Sequence, residues 1–219
     1  MQDGFTQLID EATTFFTALE RNNKKEWFDP RKDHYVSTIR KPAELFADLM
    51  AEDLSHLTGA SHKPKVFRIY RDVRFSADKR PYNAHLHILW AQGRGDAFAP
   101  GYFFACEPAD LFVGFGITDL KGPDLTRWRA FADVRGDDLV EAIARSGMTL
   151  SDWGGPPLKR VPKPFDPEHP HADLLKRKSL LVSRPLGQAW RGTEDGLLGA
   201  VREAFAACRP LADLLGEVP

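Results

Sequence analysis

The chain has 219 residues, 42% of them hydrophobic, with fifteen phenylalanines and five tryptophans, enough to bury the core of one ordinary to large domain. Thirty basic residues against thirty-one acidic ones leave a net charge of −1, which argues against a partner read by overall charge, such as duplex DNA or an anionic membrane. No apolar run approaches bilayer-spanning length, and the opening MQDGFTQLIDEATTFF lacks the basic head and apolar stretch of a signal peptide. Cys106 and Cys208 are far apart and form no metal-type pair. Two reduced thiols in a cytoplasmic protein are the simpler expectation, with one disulfide as the alternative.

Phe5, Leu8, Ile9, Ala12, Phe15, Phe16 and Leu19 recur at intervals of three and four, which predicts an amphipathic helix over residues 4–20. Asn22 and Asn23 end it. Asp29 and Pro30 predict an N-cap and a first helical position, opening a helix through Tyr35, Val36 and Ile39. Pro42 restarts or kinks it, and Leu45, Phe46, Leu49, Ala51 and Leu54 carry a helical face to about residue 57. Residues 58–64 predict a loop, with Gly59 as the helix C-cap.

Residues 66–71 then read as a strand, with Phe67 and Ile69 on one face and Arg68 and Tyr70 on the other. Residues 76–81 are turn-rich. Residues 83–91 alternate, with Ala84, Leu86, Ile88 and Trp90 on one face and Asn83, His85 and His87 on the other. After a loop carrying Gly93 and Gly95, residues 101–107 and 111–117 are aromatic-rich apolar runs joined by Pro108, Ala109 and Asp110. These four segments predict a mostly antiparallel meander, because their connections are too short for helical crossovers. Gly114 and Gly116 inside the last of them predict a bulge or a close backbone approach.

Helices return at Pro123. Leu125, Trp128, Phe131 and Ala132 mark one, and Leu139, Val140, Ile143 and Ala144 another, with Gly136 and Gly147 beyond their ends. The proline-rich residues 153–170 predict an irregular loop, residues 172–175 a short helix and residues 180–182 a further strand. Thr193 is expected to cap a final helix, with Glu194 and Asp195 in its first turn and Leu197, Leu198, Val201, Ala204, Phe205 and Cys208 on its apolar face. The succession of helices, strands and helices predicts a single α+β domain over residues 1–219, with a mostly antiparallel sheet of about five strands flanked by N-terminal and C-terminal helices.

Positive charge is concentrated in one stretch. Between residues 65 and 88 lie Lys65, Arg68, Arg71, Arg74, Lys79 and Arg80, against only Asp72 and Asp78. Guanidinium groups bind carboxylates and phosphates through paired donors. The cluster predicts a cationic pocket for a small phosphate- or carboxylate-bearing ligand. Arg68, Arg71, Arg74 and Lys79 would grip the anion, Asp72 and Asp78 would orient those cations, and Tyr82 would donate a hydrogen bond. Lys159, Arg160 and Lys163 would complete the pocket if their loop folds over the sheet. The competing expectation is an ion-pair network that merely fixes the loop, since a charge on an apolar face has to be paired. Held ionised by so many cations, Asp72 and Asp78 would make poor general acids.

RDVRFSADKRPY at residues 71–82, with WF at 27–28, FRIYRD at 67–72, PGYFF at 100–104 and LKRVPKPFDPEHPHADLLKRKS at 158–179, resembles a family of conserved hypothetical proteins, domain of unknown function twenty-four sixty-one. The resemblance covers about residues 4–208 and implies no particular activity. Asn83 and Pro164 depart from the family pattern, which tends to place Lys and Gly there.

Two further readings involve the same region. Tyr70, Phe75, Tyr82, Tyr102, Phe103 and Phe104 near the basic stretch suit a non-enzymatic module binding protein or single-stranded nucleic acid, although the near-neutral chain disfavours nucleic acid. His85 and His87, and again His169 and His171, offer paired imidazoles for a metal-dependent enzyme, with Asp166, Glu168 or Asp173 as a third ligand. No cysteine joins either pair, so solvent-facing histidines are the expectation, and neither a metal nor a cofactor is assigned. No Gly-x-Ser-x-Gly, P-loop or cysteine-centred signature marks a catalytic residue.

Overall fold

The apolar spacing near the N-terminus produces a helix. In the computed structural model, which describes residues 4–92 and 98–218, α1 runs Gly4–Arg21. Residues 93–97 of the expected loop, with Gly93 and Gly95, lie outside the described residues. After α1 the chain stays helical almost without interruption. It passes through α2 (Lys25–Phe28), a 3-10 turn (Asp29–Arg31), α3 (Lys32–Tyr35), a π-helical turn (Val36–Arg40) and α4 (Lys41–Thr58). Asp29 therefore lies within the helical run, and Phe28 rather than Asp29 occupies the N-cap position of the 3-10 turn. The wide turn immediately precedes Pro42. Proline has no N–H to donate, and its ring crowds the carbonyl four residues back; a π turn relieves both demands without ending the helix. Gly59, at φ +70°, closes α4 by donating its N–H to the Ser55 carbonyl at 2.9 Å.

The described residues contain an antiparallel sheet of six strands, one more than expected. These are β1 (His62–Val66), β2 (Leu86–Gln92), β3 (Gly101–Cys106), β4 (Leu111–Ile117), β5 (Thr149–Leu150) and β6 (Leu180–Pro185). Their order is β1-β2-β3-β4-β6-β5, so the expected meander forms the first four positions. Its first strand lies earlier than the apolar pattern suggested. His62 is buried while Lys63, Pro64 and Lys65 are exposed, the profile of an edge strand, where a proline is tolerated. Phe67, read as a core position, is exposed, whereas Ile69 is buried. The two-residue β5 is too short to show a period; it pairs Thr149 with Ser183 and Leu150 with Val182.

The remaining helices are α5 (Gly122–Val134), α6 (Gly136–Arg145), α7 (Ala172–Leu175), α8 (Gly196–Ala206) and α9 (Arg209–Leu215). α8 starts later than expected. Thr193 Oγ1 accepts from the Gly196 N–H at 3.1 Å and the Asp195 carbonyl accepts from Gly199 at 3.0 Å, so Glu194 and Asp195 precede the first turn. In α6, Val140 is exposed and Ala142 takes its place on the buried face.

The chain packs as two compact units. In the first (Met1–Trp90, Phe103–Val113, Pro185–Glu203), Leu8, Ala12, Phe16 and Leu19 of α1 and Phe46, Met50 and Leu54 of α4 are buried with Leu86, Ile88 and Trp90 of β2. Phe46 lies 5.5 Å from Phe104 and 6.2 Å from Trp90, whose indole N–H donates to the Ala47 carbonyl at 2.7 Å. Cys106 is free and buried here, and burial pushes its thiol up to about 12.

In the second unit (Ala91–Tyr102, Gly114–Arg184, Ala204–Pro219), Tyr102 sits between Phe115 at 4.8 Å and Phe205 at 5.0 Å. Trp128, Leu139, Leu175, Val182 and Leu211 are buried with them. Cys208, also free and buried, has its thiol pushed up to about 12 by the same burial.

Gly116 bears out the close approach that its place in a strand suggested. It has φ +145°, and a Cβ there would lie 1.8 Å from the Leu180 carbonyl oxygen. Backbone cannot step aside as a flexible side chain can. Gly116→Ala is expected to destabilise the fold by at least ~2 kcal/mol, combining strain at positive φ with forced separation of β4 from β6. Urea unfolding of the purified variant measures it, and an unchanged midpoint contradicts it.

Candidate functional site

The basic stretch leaves β1 at residue 67 and returns to β2 at residue 86. Its base is closed by a single antiparallel bridge between Tyr70 and Tyr82, with Arg71 N–H on the Pro81 carbonyl at 2.9 Å and Asn83 N–H on Ile69 at 2.7 Å. Asn23, just after α1, grips the returning limb. Its amide donates to the Tyr82 carbonyl at 2.9 Å and accepts the Tyr82 N–H at 3.0 Å, the two bonds a neighbouring strand would make. Arg40, in the π turn, donates to the Val66 and Phe67 carbonyls at 3.1 and 3.2 Å and so fixes the departing limb.

Between these limbs the chain twice uses one local device, an aspartate followed two residues later by an arginine. Asp72 accepts the backbone N–H of Arg74 at 3.2 Å and its guanidinium at 3.0 and 2.7 Å. Asp78 accepts the backbone N–H of Arg80 at 3.0 Å and its guanidinium through contacts of 2.8 to 3.1 Å. Each is a turn closed by a side-chain carboxylate and reinforced by a charged fork. Arg71, whose side chain is only 24% exposed, adds a bond to Asp78 and one to the Arg80 carbonyl, both at 2.9 Å. The Arg74 guanidinium holds the Asp72 carboxyl below its ordinary range, and Arg80 does the same, more strongly, to Asp78.

The predicted site residues therefore separate. Arg71, Asp72, Arg74 and Asp78 join in local ion pairs. Lys79 turns its ammonium onto the Val73 carbonyl at 3.0 Å. Arg68 is exposed and, among the described residues, has no carboxylate within ion-pair distance; Asn83 binds its carbonyl at 3.1 Å. Tyr82 is 4% exposed and lies 4.4 Å from Phe28 and 5.5 Å from Tyr70, with its hydroxyl pKa raised by burial. Its ring thus supports the base of the loop from inside. At the outer end, Phe75 is 96% exposed, with the Arg74 guanidinium 5.8 Å from its ring centre.

The two His-x-His pairs have different fates. His169 and His171 anchor the irregular loop to neighbouring helices. His169 Nε2 meets Asp133 at 3.1 Å and His171 Nε2 meets Asp137 at 3.2 Å. His169 Nδ1 accepts the His171 N–H at 3.0 Å, so its proton resides on Nε2, facing the carboxylate. Gly136 makes room for this, since a Cβ there would lie 2.1 Å from the His171 ring. The third ligands expected from Asp166, Glu168 and Asp173 are replaced by these one-to-one pairs. Lys159, Arg160 and Lys163 of the same loop are exposed.

His85 and His87 meet a carboxylate that sequence reasoning missed. His87 Nε2 donates to Glu107 Oε1 at 2.7 Å, and His85 Nδ1 lies 3.9 Å from Glu107 Oε2. The two imidazoles stack at 3.7 Å with an 11° interplanar angle. Strand alternation held the signal: Phe104 and Cys106 face the core, so Glu107 falls on the other side, as His87 does. Burial, then the charge of His87, presses the His85 pKa down to about 4, and Arg71 adds to this. The hydrogen bond from His87 lowers Glu107. A cavity of about 360 Å³ opens beside Glu107, bordered also by Asp10, Thr13, Asp110, Gln188 and Arg191.

A family model described as conserved hypothetical protein (DUF2461) matches residues 11–214. Comparison with curated proteins finds no match.

Two outcomes follow from this geometry. Asn23→Ala removes both bonds to the Tyr82 backbone and should cost about 1–3 kcal/mol in chemical denaturation. His85 gives up its proton on folding, so its contribution is complete above its ordinary pKa of 6.5 and is lost as pH falls from there towards about 4. Stability should therefore rise with pH across that window, and His85→Ala should flatten the rise without abolishing it, since His62 is shifted in the same direction by burial. Equal slopes in the variant and the parent contradict this assignment.

Proposed function

The chain belongs to the DUF2461 family, and within it we propose that this protein is a cytoplasmic domain whose Arg71-to-Tyr82 loop binds a small phosphate- or carboxylate-bearing ligand. The observation that carries the reading is the division of labour among the charges. Asp72 and Asp78 set Arg74 and Arg80 as forks, while Lys65 and Arg68, among the described residues, make no close ion pair, Arg68 acting on Asp72 only at longer range. Six cations against two acids leave a net positive surface. Its shape is already fixed by backbone-anchored turns, so an anion meets donors that need little ordering. The ligand would lie across the outer guanidinium edges of Arg68, Arg74 and Arg80, with Arg71 and Tyr82 as support. Two free, buried cysteines suit a reducing compartment.

The exposed ring of Phe75 favours a second reading, in which the anion is the backbone of single-stranded nucleic acid and a base stacks on this ring.

Calorimetric titration with inorganic pyrophosphate at low ionic strength tests the first reading. The expected result is saturable binding that weakens about tenfold or more in the Arg68→Ala/Arg74→Ala double variant. No binding by the parent protein overturns it. A single-stranded oligothymidylate separates the two readings. If Phe75→Ala weakens oligonucleotide binding by about five- to a hundredfold and leaves pyrophosphate untouched, the nucleic-acid version holds.

A further inference from the structure

His85, His87 and Glu107 form a convergence of metal-ligating side chains in which one ligand atom from each lies within 4.8 Å of the others. Each is partly exposed, with side-chain accessibility of 29%, 31% and 30%. All three are thus reachable from solvent yet held by the protein. Two neutral imidazoles and one carboxylate suit a borderline divalent ion better than the hard, all-oxygen ions. Three protein ligands leave at least one coordination position to water.

The ligands come from rigid elements. His87 lies in β2, and Glu107 immediately follows β3, held by its N–H on the Asp110 carbonyl at 2.9 Å. His85 occupies the bend just before β2, so it is the ring with freedom to adjust. That freedom is needed. Parallel rings 3.7 Å apart cannot both direct an in-plane lone pair at one ion, so coordination must turn one ring out of the stack. Glu107 also borders the cavity with Asp10, Asp110 and Gln188, which places polar groups around the carboxylate without consuming it. Its described partners are the two histidines.

We propose that His85, His87 and Glu107 bind one divalent transition-metal ion of the zinc class, with His85 rotating out of its stack on His87 to complete the site. This site adjoins the cationic loop, whose Arg71 acts on His85, but shares none of its ligands with it. It rests on different side chains and does not require that an anion bind there.

The test is calorimetric titration of the chelator-treated full-length protein with zinc chloride in phosphate-free buffer. The expected result is one ion per chain, with affinity falling about a hundredfold or more in both His87→Ala and the near-isosteric Glu107→Gln. His169→Ala should leave affinity unchanged. Circular dichroism establishes that each variant is folded, and Glu107→Gln keeps the test decisive if His87→Ala is not. Imidazole NMR signals of His85 and His87 should shift together at one equivalent of zinc. Absence of saturable binding by the parent protein, or equal affinity in the parent and Glu107→Gln, overturns the proposal.

Discussion

The amide of Asn23 acts towards Tyr82 as a strand neighbour would, and the basic loop of the first unit depends on it. A loop of nearly twenty residues pays a closure entropy that one bridge of backbone hydrogen bonds would barely offset. The side-chain clamp, the ring contact with Phe28 and the grip of Arg40 on the opposite limb turn that loop into a fixed part of the domain. Residues from the α1–α2 junction through the π turn supply all three. The π turn that accommodates Pro42 is also where Arg40 resides, so a local backbone adjustment and the anchoring of the loop occur at one place.

The charges on the loop are organised before any ligand is considered. Each Asp-x-Arg turn satisfies its own carboxylate within three residues, which is why both Asp72 and Asp78 are held below the ordinary carboxylate range. Such pairs contribute little to stability in water, because solvent screens them and ordering the side chains costs entropy. Their larger effect is geometric: they choose one rotamer for a long, otherwise mobile guanidinium.

Much of this architecture was legible in the sequence because it is written in short periods. The three-and-four spacing of α1, the alternation of Leu86, Ile88 and Trp90 and the apolar run of β4 each report a buried face directly. What was illegible depends on partners distant in the chain. β1 carries Pro64 and two lysines at a sheet edge, so its own composition argues against a strand. The placement of β6 beside β4 follows from pairing across more than sixty residues, of which Gly116 gave the only hint. At the candidate site, the Asp-x-Arg pairs were visible in sequence because they are local. The interior position of Tyr82 and the meeting of Glu107 with His87 were not, since each is decided by which elements become neighbours. Two His-x-His segments with identical spacing end in different chemistry for the same reason.

The deep seclusion of both cysteines has a practical consequence. Thiols held near 12 are almost wholly protonated at neutral pH and react sluggishly with alkylating reagents. A cysteine introduced at the solvent-surrounded position of Phe75 would stand as the single readily labelled sulfhydryl, so a fluorophore or spin probe can be attached at the tip of the basic loop without first stripping the native sulfur from the interior.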